Sequence, residues 1–597
     1  MKVKVFDFEN EEDLEKNVNE FIKDKEIIDI KYQVAFDIAL EEQIYCFSCM
    51  IIYISRWCIL KKNSFINGAL IATLGIVITK VLGILYVIPF YAIVGETSIA
   101  LYGYAYTIYN LFLSFSTVGI PPAMSKLISE YNAKDYYHTK QRAYKIGRNL
   151  LTILGVVLFV VMFSFAPSIA ELIIGDNTGG NSIKDIAFVI RIISTAIIVV
   201  PHLSVTKGYL EGHKYMKEPA IGQVLEQVIR IIVILLGSYL CIKVLNLGTT
   251  KAIGVSVFGA TVGGVVALLY LIYKIRKHKK DLMVNEKQKE EEKKITNKEI
   301  AKKLLIYAIP FISFGLALSI YDFIDATTIV KVLAKIGYKT KDAESILGVI
   351  NTTGNKLNSV VLAISTGLIT SLVPNITSSF VKKDIEDVRK KIKQAFLVLL
   401  YVTLPMTLGL SFLAEPVFKS FYGYSTWGPK VFCFTIFVAL FRCIFTTSVS
   451  IAQSLNKFKN VFISIIAGII MKLILQIPLI YLFNSLNLMP FWGSTLATLI
   501  GLFVSFSINI IVINKTTDFS FKAFIKSAIK FIYPLIIMII LLILLKKIIP
   551  INNLSRFNSI FIVVIYAFVG AVIYFSFTIK NGVFNEMFEG KFKKIKK

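Results

Sequence analysis

Residues 66–94 read INGALIATLGIVITKVLGILYVIPFYAIV, an apolar run that is interrupted by a single charged residue, Lys80. A transmembrane helix needs about 20 apolar residues, so this run is long enough to cross a bilayer. A charge held at mid-span costs roughly 2.5–3.5 kcal/mol on insertion scales, and Lys80 is therefore expected to face a polar interior. A second apolar run, Tyr102 to Ile128, follows, and a basic segment begins at Lys126. Two neighbouring spans that carry a cation into the membrane indicate a transport site.

Composition narrows the class of protein. The chain has 597 residues, of which 55% are hydrophobic, and its mean hydropathy is +0.68; this is typical of a polytopic membrane protein and excludes a soluble domain of this size. A net charge of +27 would suggest nucleic acid in a soluble protein. Here the cations lie in the links between apolar runs, where they set topology and contact anionic membrane lipids. Motifs that bind RNA or DNA are absent, so we expect no nucleic-acid partner.

The apolar runs and their links predict the topology. The links alternate between basic ones, such as Lys126–Arg148, and links nearly free of cations, such as Gly175–Asp185. Positive links mark the cytoplasmic side, so both termini are predicted to be cytoplasmic, in a multi-pass protein of the cell membrane. The basic link Lys331–Lys341 is an exception, because this scheme places it outside. The fourteen predicted spans are about 66–94, 102–125, 149–174, 187–206, 219–242, 252–273, 304–330, 346–373, 395–418, 430–452, 461–483, 491–513, 531–549 and 558–579.

The chain also repeats itself at one offset. Four features of the first half recur 249 residues later, which indicates a duplication: Ser116-Thr117 with Ser365-Thr366, Ser129 with Ser378, Lys134-Asp135 with Lys383-Asp384, and Pro167 with Pro416. An even number of helices in each copy makes the two copies parallel, and such repeats commonly pack as two bundles about a central cleft. The predicted fold is therefore an all-α polytopic membrane protein with two six-helix lobes and two extra C-terminal helices. The predicted domains are 1–57, a soluble module; 58–273, the first lobe; 274–303, a basic linker; 304–513, the second lobe; and 514–597, the last two helices and a basic tail.

The front of the chain differs from the rest. Lys2 to Phe6 alternate as a strand, Glu9 to Ile22 are helical in pattern, and two β-rich runs follow. This predicts a small soluble α/β module of the order β-α-β-β. Its wording, KVKVFDFENEEDLEKNVNEFI at 2–22, DIKYQVA at 29–35 and EQIYCFSCMIIY at 42–53, resembles a short stand-alone sporulation protein family of endospore-forming bacteria.

Ionisable residues inside the predicted spans are the site candidates, because buried charge in a membrane usually serves function. Lysine and arginine bind phosphate oxygens through charge-assisted hydrogen bonds, so an excess of cations suits an anionic substrate. The predicted cavity cations are Lys80, Arg230, Lys356, Arg442 and Lys472. Three acids serve either ion coupling or charge pairing: Glu226, Asp322 and Asp325. Proline kinks helices and glycine allows close contacts, which predicts hinges at Gly119, Pro122 and Pro374.

Catalytic and cofactor motifs are absent from the sequence. It holds no GxxxxGK[ST] motif, so we expect no ATP site. Four histidines at scattered positions are a poor metal set, and no metal or other cofactor is expected. The chain is therefore predicted not to be an enzyme. The membrane potential or coupled Na⁺ or H⁺ would drive transport.

Three stretches resemble a known family. They are TKVLGILYVIPFYAIVG at 79–95, YNLFLSFSTVGIPPAMSKLISEYNAK at 109–134 and VIRIISTAIIVVPHLSVTKGYLEGHKYMKEPAIGQVLEQVIRI at 189–231. They are similar to the YtgP/SpoVB-type polysaccharide-biosynthesis exporters. These exporters and the MurJ lipid II flippases belong to the multidrug/oligosaccharidyl-lipid/polysaccharide (MOP) superfamily, which also contains the MATE-like exporters. The resemblance covers about residues 63–580. A cavity cation of the family corresponds to Lys80, whereas a family arginine is replaced here by Tyr86.

The resemblance implies fourteen helices, alternating access and a polyprenyl-pyrophosphate glycolipid as cargo. The leading expectation is a flippase for lipid II or a related lipid-linked oligosaccharide, with cell-wall synthases as further partners. One alternative is a cation-coupled exporter of drugs or other small molecules, with Asp322 and Asp325 as coupling sites. Another is a flippase for other polysaccharides, of the O-antigen type. A membrane glycosyltransferase is disfavoured, because those enzymes need large outer loops and the outer links here are short.

Overall fold

The computed structural model describes residues 2–8, 11–22, 26–39, 42–54, 75, 78–117, 119–134, 136–175, 180–282, 292, 294–551 and 554–580. Parts of four predictions lie outside these residues. They are the first span at 66–74 and 76–77, the basic linker at 283–291 and 293, the tail at 581–597, and the side chain of Pro374.

The front of the chain forms a three-stranded antiparallel sheet with one helix. Its elements follow the order β1 (Lys2–Phe8), α1 (Glu11–Ile22), β2 (Glu26–Ala39) and β3 (Glu42–Ile54). Strand β3 lies in the middle, with Lys2 opposite Tyr53 on one side and Ala39 opposite Glu42 on the other. Phe21 of α1 packs against Phe6 of β1 at 5.3 Å between ring centroids, so the helix covers the sheet through aromatic contact.

The rest of the described chain is helical. In lipid every backbone polar group must be bonded internally, and a long apolar run can meet this demand only as a helix. The helices of the first half are α2 (Ile78–Val94), α3 (Glu96–Ser116), α4 (Ile120–Ala133), α5 (Tyr137–Ser164), α6 (Ala166–Ile174), α7 (Ile183–Ser194), α8 (Ala196–Gly212), α9 (Lys217–Tyr239) and α10 (Thr249–Lys277). We call α2–α10 the first lobe.

The second half begins with a long helix that is bent near Pro310. Its helices are α11 (Asn297–Lys335), α12 (Thr340–Gly348), α13 (Gly354–Val381), α14 (Ile385–Phe412), α15 (Ala414–Tyr422), α16 (Gly428–Ser454), α17 (Phe458–Ser485), α18 (Pro490–Thr517), α19 (Phe521–Ile529), α20 (Ile532–Ile548) and α21 (Arg556–Lys580). We call α11–α18 the second lobe. The bend in α11 is 47°, between Asn297–Ile309 and Phe311–Lys335, and a proline removes the hydrogen bond that would keep such a helix straight.

Among the described residues, 11 helices are long and apolar enough to cross a membrane, or 12 with the bent α11. The chain is therefore a multi-pass membrane protein. Two of the fourteen predicted spans are outside this count. The span 66–94 is described only from Ile78 as a short apolar helix, and 346–373 corresponds to α12 and α13, which are joined by a π-helical turn at Val349–Thr353. The number fourteen remains a prediction.

Burial in the helical part is inverted relative to a soluble protein. Large apolar side chains face outward, for example Ile474 at 59% exposed and Phe568 at 69% exposed. Small hydroxyl residues lie inside, such as Thr403 and Thr407, which are fully buried and donate to the carbonyl oxygens of the preceding turn. Surfaces so apolar need lipid around them, which agrees with a membrane protein.

Equivalent elements recur in the two halves. The 28-residue helix α5 is followed by the 9-residue helix α6, and the 28-residue α14 is followed by the 9-residue α15. Both short helices end at a glycine with positive φ, Gly175 and Gly423. A left-handed backbone at both stops favours glycine, so the same local device ends the same element twice. This recurrence agrees with the duplication that the shared sequence offset indicates.

Candidate functional site

A charged cluster joins α8 and α9 in the first lobe. Arg230 donates from Nη2 to Oε1 of Glu226, one turn earlier on α9, at 2.6 Å. The other carboxylate oxygen of Glu226 accepts from Nζ of Lys207, on α8, at 3.3 Å. All three side chains are largely buried, with 14% to 20% of each exposed. Two cations share one carboxylate, and the cluster therefore carries a net positive charge.

The neighbouring helix α10 lies very close to this cluster. A Cβ on Gly263 would lie 2.6 Å from the carbonyl oxygen of Glu226, too near for any side chain. Small residues of this kind let two helix backbones approach closely in a membrane. The close contact fixes the part of α9 from which Glu226 and Arg230 project.

A row of tyrosines lies beside the cluster. Tyr102, Tyr106 and Tyr109 occur at spacings of four and three on α3, which puts them on one helical face. The rings of Tyr102 and Tyr106 are 4.5 Å apart, and those of Tyr106 and Tyr109 are 5.8 Å apart. The hydroxyls of Tyr102 and Tyr86 are hydrogen-bonded at 3.0 Å. Arg230 interacts electrostatically with all three tyrosines of the α3 row.

Lys356 reaches the same tyrosines from the second lobe. Its Nζ lies 5.5 Å from the centre of the Tyr86 ring, which is within the range of a cation–π contact. Lys356 also interacts electrostatically with Tyr106 and with Arg230. Among the described residues, no carboxylate forms an ion pair with Lys356. The structure thus brings together two predicted cations, Arg230 and Lys356, from opposite lobes.

Lys80 lies near the start of α2, before Tyr86. It is half-buried, and Cys443, on α16 of the second lobe, is close enough to interact with it electrostatically. Lys80 therefore faces the second lobe.

The remaining predicted cations are paired with acids inside the second lobe. Nη2 of Arg442 donates to Oδ1 of Asp322 at 2.6 Å, and Nζ of Lys472 donates to Oδ1 of Asp325 at 2.7 Å. Lys472 is fully buried. Asp325 also accepts hydrogen bonds from Gln476 at 2.9 Å and from Ser494 at 2.7 Å. These two acids and two cations balance one another, which favours charge pairing over ion coupling for Asp322 and Asp325.

Two of the three predicted hinge residues, Gly119 and Pro122, lie at a helix break. Gly119 precedes α4 with an ordinary helical φ of −92°, and Pro122 lies in the first turn of α4, where a proline costs no hydrogen bond. A Cβ on Gly119 would overlap the Ala308 carbonyl oxygen of α11, so this glycine allows close contact between the lobes. Pro122 thus begins a helix and does not kink one. The backbone of Pro374 lies within α13.

An apolar cavity lies between the second lobe and the last two helices, α20 and α21. Its volume is about 490 Å³, and its walls are almost entirely apolar. It is lined from α13, α14, α15, α20 and α21, for example by Leu357, Met406, Leu413, Met538 and Ala567.

The two lobes contact each other differently at the two ends of the helices. One end lies near Gly175 and Gly423, and we call it the cation-poor end after the link Gly175–Asp185, although the exceptional basic link Lys331–Lys341 also reaches it at Gly175. The contacts there involve several helices of each lobe: Tyr104 and Asn181 with Glu344, Glu96 with Ser425, and Tyr91 with Tyr422. At the basic end, the described polar contacts come from α11 and the linker: Lys303 and Tyr307 with Glu130, Asn297 with Arg142, and Glu292 with Thr139. The lobes are therefore joined more broadly at the cation-poor end.

The sequence pattern does not single out several residues of the site. Lys207 follows directly after the predicted span 187–206, and the tyrosines of α3 fall within the predicted span 102–125. The spacing of Tyr102, Tyr106 and Tyr109 was a usable signal, because polar-tipped aromatics on one face of a span need partners. No metal-binding group of three or more His, Cys, Asp or Glu occurs in the described part of the chain.

Comparison with known proteins identifies the family. The model of the polysaccharide biosynthesis protein family matches residues 65–380. The lipid II flippase MurJ of Bacillus subtilis (strain 168) is 32% identical over 470 residues, which cover 78% of this chain and 85% of that protein. The chain belongs to the polysaccharide biosynthesis protein family. Like its relatives in this family, it is a membrane flippase or transporter.

Solved structures agree with this family at the level of fold. A structure described as lipid II flippase MurJ in an inward closed conformation has a TM-score of 0.62 at 16% identity, covering 86% of this chain and 99% of that one. An inward-facing multidrug resistance MATE family transporter of the MOP superfamily has a TM-score of 0.56 at 14% identity, covering 73% of this chain and 96% of that one. At the front, residues 1–55 of this polysaccharide biosynthesis protein match the family model of sporulation protein Cse60.

Proposed function

We propose that this chain flips a polyprenyl-pyrophosphate-linked cell-wall precursor, lipid II or a close relative, across the cell membrane by alternating access of its two lobes. The 32% identity to a lipid II flippase over most of both chains supports the substrate class. The site itself supports an anionic substrate, for the reasons that follow.

The observation that carries the proposal is that Arg230 and Lys356 lie close enough for their charges to interact. They come from opposite lobes, interact with each other and share the Tyr106 environment. Two like charges in a partly buried place repel each other, and an anion between them removes this repulsion. A pyrophosphate group offers several acceptor oxygens to such a pair, and arginine and lysine are the side chains that commonly bind it. Binding would then draw the two lobes together.

The apolar cavity supports a substrate with a hydrocarbon tail. It borders α20 and α21, the two helices beyond the second lobe, and Leu357 of α13 is one of its lining residues. Leu357 is the next residue after Lys356, so the cationic site and the apolar cavity lie at the same level of α13, on faces of the helix that are about 100° apart. A lipid with a charged headgroup and an apolar tail could place one part in each.

We further propose that the basic end faces the cytoplasm, with both termini inside, since positive links favour that side. Transport needs no ATP site in this chain and is driven by the membrane potential or a coupled ion. Anionic lipids would surround the basic links, and cell-wall synthases would use the product outside. The Cse60-like front indicates a role in spore-forming cells.

A cation-coupled drug exporter is disfavoured, because Asp322 and Asp325 already hold Arg442 and Lys472.

The test is translocation of labelled lipid II in proteoliposomes that contain the full chain. We expect Arg230→Ala and Lys356→Ala each to reduce the rate at least tenfold, because each removes half of the anion site. Lys251→Ala is the matched control, since Lys251 is an exposed lysine at the start of α10 and should be neutral. If both site variants flip lipid II as fast as the unchanged chain, the anion site is wrong. If the unchanged chain moves no lipid II, the substrate is wrong.

A further inference from the structure

Glu344 lies at the cation-poor end, in α12, just before the predicted span 346–373. It is fully buried, although it belongs to a short helix that follows a basic link. Its hydrogen-bond partners, Tyr104 and Asn181, belong to the first lobe. A buried carboxyl at a contact between two moving bodies can control whether they stay together.

The carboxylate of Glu344 is held by Asn181 of the first lobe. The backbone N–H of Asn181 donates to both oxygens, at 3.1 Å to Oε1 and 3.0 Å to Oε2. The Asn181 side chain adds a third bond, from Nδ2 to Oε2 at 3.0 Å. Tyr104 of α3 donates its hydroxyl to Oε1 at 3.5 Å. Four contacts therefore cross from the first lobe to this one side chain.

Gly180 makes this arrangement possible. A Cβ on Gly180 would overlap the Glu344 carboxylate, so only a glycine leaves room for it there. The carboxylate thus sits against the bare backbone of residues 180 and 181. Opening the lobes at this end must break all of these contacts and expose Glu344 to water.

Charge around Glu344 favours its neutral form. Tyr104 from α3 and Asp185 from α7 are the titratable groups that face it, and Asp185 is negative. Among the described residues, no lysine or arginine forms an ion pair with Glu344. Burial, together with the Asp185 charge, raises the pKa of Glu344 to about 7, against the opposing hydrogen bonds from Asn181 and Tyr104.

Resting on the proposed alternating access, we infer that Glu344 is a proton-sensitive latch that holds the lobes closed at the cation-poor end. A protonated Glu344 keeps its contacts without a buried charge, and its own O–H can donate to Tyr104. A deprotonated Glu344 is better solvated in the open state. Acid therefore favours closure and alkali favours opening at this end.

The sign follows from linkage. The pKa in the closed state is raised, while an exposed glutamate has a pKa near 4.3. Protonation of Glu344 stabilises the closed state fully below a pH of about 4.3. This stabilisation is lost as the pH rises through about 7, the pKa of Glu344 in the closed state. Between pH 6 and pH 8 the ratio of open to closed molecules should rise by up to roughly tenfold, and little more above that.

The experiment measures opening directly and needs no lipid substrate. Spin labels on Lys184→Cys in the first lobe and Tyr424→Cys in the second lobe report the distance at this end, in full-length chain without native cysteines, reconstituted in liposomes. Both positions are exposed. In the labelled chain with Glu344 unchanged, we expect the fraction of molecules with a long distance between the two labels to grow between pH 6 and pH 8.

Three variants decide the outcome. Glu344→Gln should remove the pH response and stay closed, and Asn181→Ala should shift the population toward the open state at every pH. Asp342→Asn is the control, because Asp342 lies on the same helix but accepts from Trp427 within its own lobe, and it should keep the response. A flat profile for the unchanged site, or an unaltered profile in Glu344→Gln, overturns the latch. Failure of lipid II translocation would leave these distances unaffected, so the two proposals fail separately.

Discussion

The two lobes treat buried charge in opposite ways. In the first lobe, Lys207 and Arg230 share the single carboxylate of Glu226, and Lys356 adds a further cation from across the interface. In the second lobe, Arg442 and Lys472 each have an aspartate of their own. A cation in a membrane span is therefore not by itself evidence of a binding residue. We expect the balanced pairs to hold the fold and the unbalanced excess of cations to bind the ligand.

The largest effect is expected from removing one charge of a balanced pair in the second lobe. Lys472→Met leaves Asp325 as an unpaired charge in a fully buried place, which typically costs about 3–5 kcal/mol of stability. We expect a marked fall in the Tm of the purified chain in detergent. A double variant, Lys472→Met with Asp325→Leu, should recover most of the loss, since neither charge is then left alone. Equal Tm values for the single variant and the unchanged chain would contradict the structural role.

An opposite change in the first lobe should act on binding. Glu226→Gln frees Arg230 and Lys207 from their shared carboxylate and makes the cluster more positive by one charge. At the effective dielectric of a partly buried site, this should tighten binding of inorganic pyrophosphate by about tenfold. Calorimetry on the purified chain measures the affinity. Glu415→Gln, which removes an exposed glutamate on α15, is the control and should leave it unchanged. Weaker binding in Glu226→Gln would mean that the carboxylate orients the cations instead of neutralising them.

The smallest expected effect concerns the tyrosines between the lobes. Tyr102→Phe removes the hydrogen bond to the Tyr86 hydroxyl, which costs about 1 kcal/mol and loosens the ring over which Lys356 lies. We expect lipid II translocation to slow a few-fold. Tyr424→Phe, which alters a tyrosine that is 82% exposed, should have no effect. An unchanged rate in Tyr102→Phe would assign the tyrosines to packing alone.

The helices could be predicted because lipid allows an apolar run few other structures. The predicted span 461–483 lies inside α17, and 491–513 lies inside α18. The predicted ends of a span were wrong where the helix extends beyond its apolar run. The predicted span 395–418 is a case, because α14 begins ten residues earlier, at Ile385, in a charged stretch, and ends at Phe412 before a separate helix.

The site was harder to predict, because its partners are distant in sequence. Glu226 and Arg230 are four residues apart on one helix, and their pairing could be foreseen. Lys472 and Asp325 are separated by 147 residues, and Arg442 and Asp322 by 120, so only the packing of helices reveals those pairs. Apart from Lys207, the sequence points to every charged residue of these clusters, but it does not divide them into neutralised and available ones.

The size of the apolar cavity has a consequence for selectivity. A volume of about 490 Å³ is that of a site for a drug-sized molecule, and it is much smaller than a polyprenyl tail of dozens of carbon atoms. If the proposed lipid is the substrate, most of its tail stays among the surrounding acyl chains while the headgroup crosses. The protein then recognises only the segment nearest the phosphate, and chain length beyond that segment should matter little. Shortened synthetic lipids, which are easier to handle in water, should serve as substrates nearly as well as the full-length ones.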